Sequence, residues 1–120
     1  MNNGNLEDMV KVIIDALENK KAEEIRLINI SEISTIADYF IITNGNNKSQ
    51  IQALADHVEE KLSKIGIQPK NIEGYNTANW ILIDCQDVLV HIFDKESRGY
   101  YDLERIWRDG KIIDIHHCNE

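Results

Sequence analysis

The sequence predicts an α/β fold of the α+β-like kind: a mixed sheet of about five strands with two long helices on one face. Three observations predict it. Two segments, 5–19 and 47–65, carry apolar residues at helical spacing. Short β-prone runs lie before, between and after them. The stretch 80–93, W-I-L-I-D-C-Q-D-V-L-V-H-I-F, is two apolar runs joined by a two-residue link, which is a tight hairpin.

The elements follow in order. In 5–19, Leu6, Met9, Val10, Ile13, Ile14 and Leu17 make one stripe, with Glu7, Asp8, Lys11, Asp15 and Glu18 opposite. Residues 24–30 read as a strand with apolar residues on both sides, which suggests a strand covered on both faces, or a central one. A connector, 31–37, leads to a second strand, 38–44, centred on Tyr39-Phe40-Ile41-Ile42. Gly45 to Gln50 turns the chain into the second helix, with Asn47 as N-cap and Gln50 completing a capping box. Its stripe is Ile51, Leu54, Ala55, Val58, Leu62 and Ile65, and Gly66 stops it. A short strand at 70–75 returns parallel to the second by a crossover. After the hairpin, Tyr100, Leu103 and Trp107 predict a short helix over 100–109, closed by Gly110. We read residues 1–120 as one domain with a flexible tail after 110.

With Cys85–Gln86 as the link, Asp84 faces Asp87, Leu82 faces Leu89 and Trp80 faces His91. Alternation then sorts the hairpin into two faces. Ile81, Ile83, Val88, Val90 and Ile92 form a wholly aliphatic face that wants a core. Trp80, Leu82, Asp84, Asp87, Leu89, His91 and Phe93 form a mixed face, where each buried polar group would need a partner. Two helices cover one face only, so the aromatic side stays open. Aromatic anchors ringed by charge are what interface centres use. The competing reading is that 96–107 folds over this face and buries it; the two readings are compatible with Tyr101 and Glu104 at the rim.

Composition narrows the function. Hydrophobic residues make up 42% of the 120, enough for one core, and no run reaches membrane-span length. Residues 1–7 lack a basic segment followed by an apolar one, and Cys85 and Cys118 form no disulfide framework, so we expect no signal peptide and a reduced, cytoplasmic protein. A net charge of -8 argues against a surface-wide nucleic-acid binder and permits a basic protein partner.

Catalytic readings are weak. The Gly45–Ser49 turn has one glycine and no Gly-Lys-Ser/Thr ending, so a capped helix start outweighs a phosphate site. No Asp-x-Asp pair exists to hold a metal, and Asp84 with Asp87 on a turn are more often solvated. His91 opposite Trp80 is too far from the turn for a His–Asp dyad, and Cys85 lacks a pocket to orient a thiol. His116-His117-Cys118 is an incomplete metal set in a tail. We expect no catalytic residue, no cofactor and no metal.

Several short motifs, in order and spacing, carry a resemblance: Ala37-Asp38-Tyr39-Phe40-Ile41-Ile42, Gly45-Asn46, Glu73-Gly74, Trp80-x-Leu82-x-Asp84, Asp87-Val88-x-Val90-His91-x-Phe93 and Arg98-x-Tyr100-Tyr101-x-Leu103-Glu104-x-x-Trp107. Together, over roughly residues 6–109, the chain resembles the ribosomal silencing factor (RsfS, Iojap-like) family. It departs from the family pattern at Asn46-Asn47 and at Gln86, where glycine is common and glutamine tolerates a positive φ poorly. The resemblance implies a fold similar to nucleotidyltransferases without their catalytic motif. It also implies a non-enzymatic translational repressor that binds large-subunit ribosomal protein fourteen and blocks joining of the small subunit. Little direct nucleic-acid contact and no membrane are implied. The partner-binding residues would be Trp80, Leu82, Asp84, His91 and Phe93, with Tyr101 and Glu104 beside them.

Two other classes compete. A nucleotide-binding or nucleotidyltransferase-like enzyme would bind Mg²⁺–nucleotide in a calorimeter. A self-associating structural subunit would use the same aromatic face, and family proteins can pair as homodimers when free; light scattering with and without large subunits separates that case.

Overall fold

The structure is a computed structural model that describes residues 3–113. The elements are α1 (Asn3–Asn19), β1 (Glu23–Asn29), β2 (Tyr39–Gly45), α2 (Lys48–Lys64), β3 (Asn71–Glu73), β4 (Trp80–Asp84), β5 (Val88–Asp94), α3 (Lys95–Tyr101), α4 (Leu103–Ile106) and β6 (Lys111–Ile113). One mixed six-stranded sheet runs β3-β4-β5-β2-β1-β6, and its central pair, β2 and β5, is parallel.

Both long helices cover one face, as their stripes require. Val10, Ile13, Ile14 and Leu17 of α1 meet Ile51, Leu54, Val58 and Leu62 of α2 over Leu27, Ile41, Ile81, Ile83, Val88, Val90 and Ile92. The aliphatic face of the hairpin is therefore the floor of the main core, and all five of its members are fully buried. At about 1.5–3 kcal/mol per buried aliphatic side chain, this layer supplies most of the drive to fold.

The start of α2 is built from local chemistry. Asn47 caps it by accepting from the Gln50 N–H at 2.8 Å. Gln50 reaches back to the N–H of Asn46 rather than of the cap itself, at 2.7 Å. Its amide also donates to the carbonyls of Lys20 and Lys21, tying this turn to the end of α1. Gly66 leaves α2 with φ 82, the left-handed stop that glycine adopts at no steric cost.

Five expectations change. The hairpin register is shifted by two: Trp80 pairs with Phe93, Leu82 with His91 and Asp84 with Leu89. The link is Gln86–Asp87, closed by the Cys85 N–H on the Val88 carbonyl, and Gln86 sits at φ 74. The Asp84 carboxylate accepts the Gln86 N–H at 2.8 Å and steadies that strained residue. A shift of two preserves side-chain parity, so both faces keep their members. Ile65 leaves the α2 stripe: it caps the helix and is 46% exposed. β3 is an edge strand paired antiparallel to β4, so the parallel partner of β2 is β5. The helix placed at 100–109 begins earlier, at Lys95, because Asp94 caps it by accepting from the Ser97 N–H. Asp102 at φ 53 then breaks it into α3 and α4, leaving Tyr100 out in solvent. Finally, residues 111–113 of the expected tail pair with β1 as β6. His116-His117-Cys118 lies outside the described residues.

A candidate docking face

The sheet face turned away from α1 and α2 carries the mixed side of the hairpin. β4 contributes Trp80, Leu82 and Asp84; β5 contributes Leu89, His91 and Phe93; β2 adds Phe40 and Ile42. α3 and α4 roof part of it: Leu103 and Trp107 pack on a second core of Ile28, Ile30, Ala37, Phe40, Ile42 and Phe93. Open and covered readings of this face thus each describe half of it.

The rings form one continuous cluster. Trp80 lies with its ring centre 5.1 Å from Phe93 and 4.6 Å from Tyr101. His91 meets Phe40 edge-on at 4.7 Å, and Phe40 meets Trp107 at 5.1 Å. Such pairs add about 0.5–1.5 kcal/mol beyond their burial. Behind Trp80, Gly74 at φ 81 lies against its backbone; a β-carbon there would collide with the Trp80 carbonyl oxygen.

The expected partner-binding residues divide by depth. Trp80, Leu82 and Asp84 are half-buried, and Tyr101 is 42% exposed. Phe93 is fully buried and His91 retains only 4% exposure. Those two support the face from beneath rather than present themselves on it. Glu104 is half-buried and engaged: both its oxygens accept from Arg98, at 3.1 and 3.0 Å.

His91 has an uneven environment. The Trp80 indole N–H donates to its Nδ1 at 3.1 Å. An indole nitrogen only donates, so Nδ1 is bare and Nε2 carries the proton. Nε2 is buried with no hydrogen-bond partner among the described residues. A buried unmet donor costs about 1–3 kcal/mol. Burial also lowers the imidazole pKa from 6.5 to about 4. Cys85 lies on the opposite face, in the main core, where burial first and Asp84 second push its thiol up to about 12. His91 and Cys85 are thus separated by the sheet. Among the described residues no three of His, Cys, Asp and Glu cluster as metal ligands.

The residues missed by sequence reasoning are those that hold the roof. Arg98, 9% exposed, grips Glu104 with two hydrogen bonds and donates Nη1 to Asn44 Oδ1 at 2.8 Å. Asn44 donates to the Glu23 carboxylate, and Thr43 donates to the Glu23 carbonyl at 2.6 Å. The available signal was a polar Thr43-Asn44 pair ending an otherwise apolar strand. Such a pair demands partners once both faces are covered.

Residues 3–120 match the family described as Ribosomal silencing factor during starvation. The chain belongs to the ribosomal silencing factor family. It is 40% identical over 111 residues to ribosomal silencing factor RsfS of Bacillus subtilis, spanning 92% of this chain and 94% of that one. It is 39% identical over 109 residues to the RsfS of Halalkalibacterium halodurans, spanning 91% and 93%. The crystal structure of a Chromobacterium violaceum protein superposes with a TM-score of 0.82 at 33% identity, covering 83% of each chain. Within the silencing factor family, then, this chain carries an aromatic sheet face, half roofed, with an acidic residue at its hairpin end.

Proposed function

We propose that this chain represses translation by binding the large ribosomal subunit through large-subunit ribosomal protein fourteen and blocking association with the small subunit. One observation carries the reading: Trp80 and Tyr101 pack ring against ring, tilted at 46° with centres 4.6 Å apart, on a sheet face that the two long helices leave uncovered. Paired aromatics of this kind anchor interface centres, and the chain's net charge of -8 favours a basic partner. The names of its relatives support the ribosome as the target. The mechanism is exclusion, without catalysis or cofactor: a bound domain occupies space the small subunit needs. Its place of action is the cytoplasm. Trp80, Leu82, Asp84 and Tyr101 make the contact, with His91, Phe93 and Glu104 shaping it.

Sedimentation with purified large subunits, followed by a subunit-joining assay, tests this. The expected result is co-sedimentation and fewer joined ribosomes. A chain that stays in the supernatant, or that co-sediments without affecting joining, overturns the reading.

A further inference from the structure

His91 is a costly residue for its place. It lies in the roofed part of the aromatic cluster, among Phe40, Phe93 and Trp80, where a phenylalanine would fill similar space without an unmet N–H. What phenylalanine lacks is an acceptor for the Trp80 indole. Among the described residues that hydrogen bond is the one polar contact of either ring, and it joins a buried residue to a half-buried one. Stacking alone leaves an indole free to slide or flip over its neighbours, because ring contacts are weakly directional; an N–H···N bond is not.

We propose that His91 is the positioning residue of the docking face: its bare Nδ1 fixes the Trp80 indole in the orientation that meets the partner. The inference rests on the docking reading above and adds a role that burial alone would not give. The indole N–H is engaged by His91, so it is not offered to a partner. A partner contact there is apolar in character, and specificity resides in shape rather than in a hydrogen bond from the indole.

Two kinds of measurement test it. In ¹⁵N spectra of the unmodified protein, His91 shows the Nε2–H tautomer with a bare Nδ1, and the Trp80 indole N–H exchanges slowly with solvent; Trp80→Phe assigns that signal by removing it. The opposite tautomer, or a fast-exchanging indole, overturns the proposal. In binding to large subunits, His91→Phe, which keeps bulk and loses the acceptor, weakens affinity roughly fivefold to tenfold. His91→Asn, whose side-chain oxygen stands where Nδ1 stood, retains most of the affinity and most of the indole protection. In a Trp80→Phe background, His91→Phe has no further effect, as a coupled pair requires. Equal weakening in both backgrounds assigns His91 a general structural role and overturns the proposal. Should Trp80→Ala leave binding untouched, the docking reading fails instead, while the tautomer and exchange data still report on the hydrogen bond itself.

Discussion

Trp80 concentrates most of the docking reading in one side chain. It touches Phe93, His91 and Tyr101 yet remains half-buried, the setting in which truncation at an interface is most costly. Trp80→Ala is expected to weaken large-subunit binding by about 2 kcal/mol, roughly thirtyfold, in co-sedimentation. His91 makes a second prediction, in acid. The folded protein holds it neutral down to about pH 4, whereas the unfolded chain takes up the proton near 6.5. Between those values the unfolded state binds the extra proton, so stability is full above pH 6.5 and declines as pH falls towards 4, by about 3 kcal/mol in all. Urea titrations across that range check it, and His91→Asn should lose this slope. At this scale the sequence was informative about identity and poor about depth. Trp80 was readable on the mixed face and Tyr101 at its rim, but the burial of Phe93 and His91 depended on where the roof of α3 and α4 came to rest. The engagement of Glu104 depended on Arg98, whose charge gave no sign of being buried.

Among the elements, the short helices matter most, since they decide how much of the face is covered. α3 and α4 are seven and four residues long, too short to hold themselves. Leu103 and Trp107 attach them by apolar contact, and Arg98 ties α3 to α4 through Glu104 and to the ends of β1 and β2 through the Glu23 carbonyl and Asn44. Arg98→Met is expected to cost about 2 kcal/mol in urea unfolding, because it leaves a carboxylate and an amide short of their partner. Amide exchange should speed up first over 95–106. Removing Glu104 as well, by Glu104→Leu, should recover part of the loss. The sequence showed the long helices, the cap at Asn47, the stop at Gly66 and both faces of the hairpin, because each rests on local periodicity or local hydrogen bonding. It missed the break at Asp102, since a lone αL aspartate has no periodic signature. The two-residue register shift was also invisible: either register satisfies alternation, and only the strained Gln86 turn distinguishes them.

For the molecule as a whole, the proposed docking on a basic ribosomal protein is an encounter set by charge. A surface at -8 approaching a basic protein is steered by long-range attraction that salt screens within about 10 Å at 0.1 M. The association rate should fall by roughly tenfold from low to high salt while dissociation changes little, in stopped-flow or surface-binding kinetics. An unchanged association rate would remove steering from the account and leave the aromatic anchor. The two-layer plan was legible, but strand order was not. It depends on pairings between distant segments, and the brief Lys111–Ile113 run carries too few residues to declare itself a strand.

The parallel junction of β2 with β5 has a kinetic corollary. Tyr39 aligns with Val88, so the middle of the sheet forms only after α2, β3 and β4 have been looped out between its halves. Closing that loop loses chain entropy before any pairing compensates, which places the barrier at closure. α2 shortens the loop by coiling and lays Leu54 onto the waiting floor. Leu54→Ala should therefore act chiefly on the refolding limb of a chevron plot, slowing folding more than it hastens unfolding.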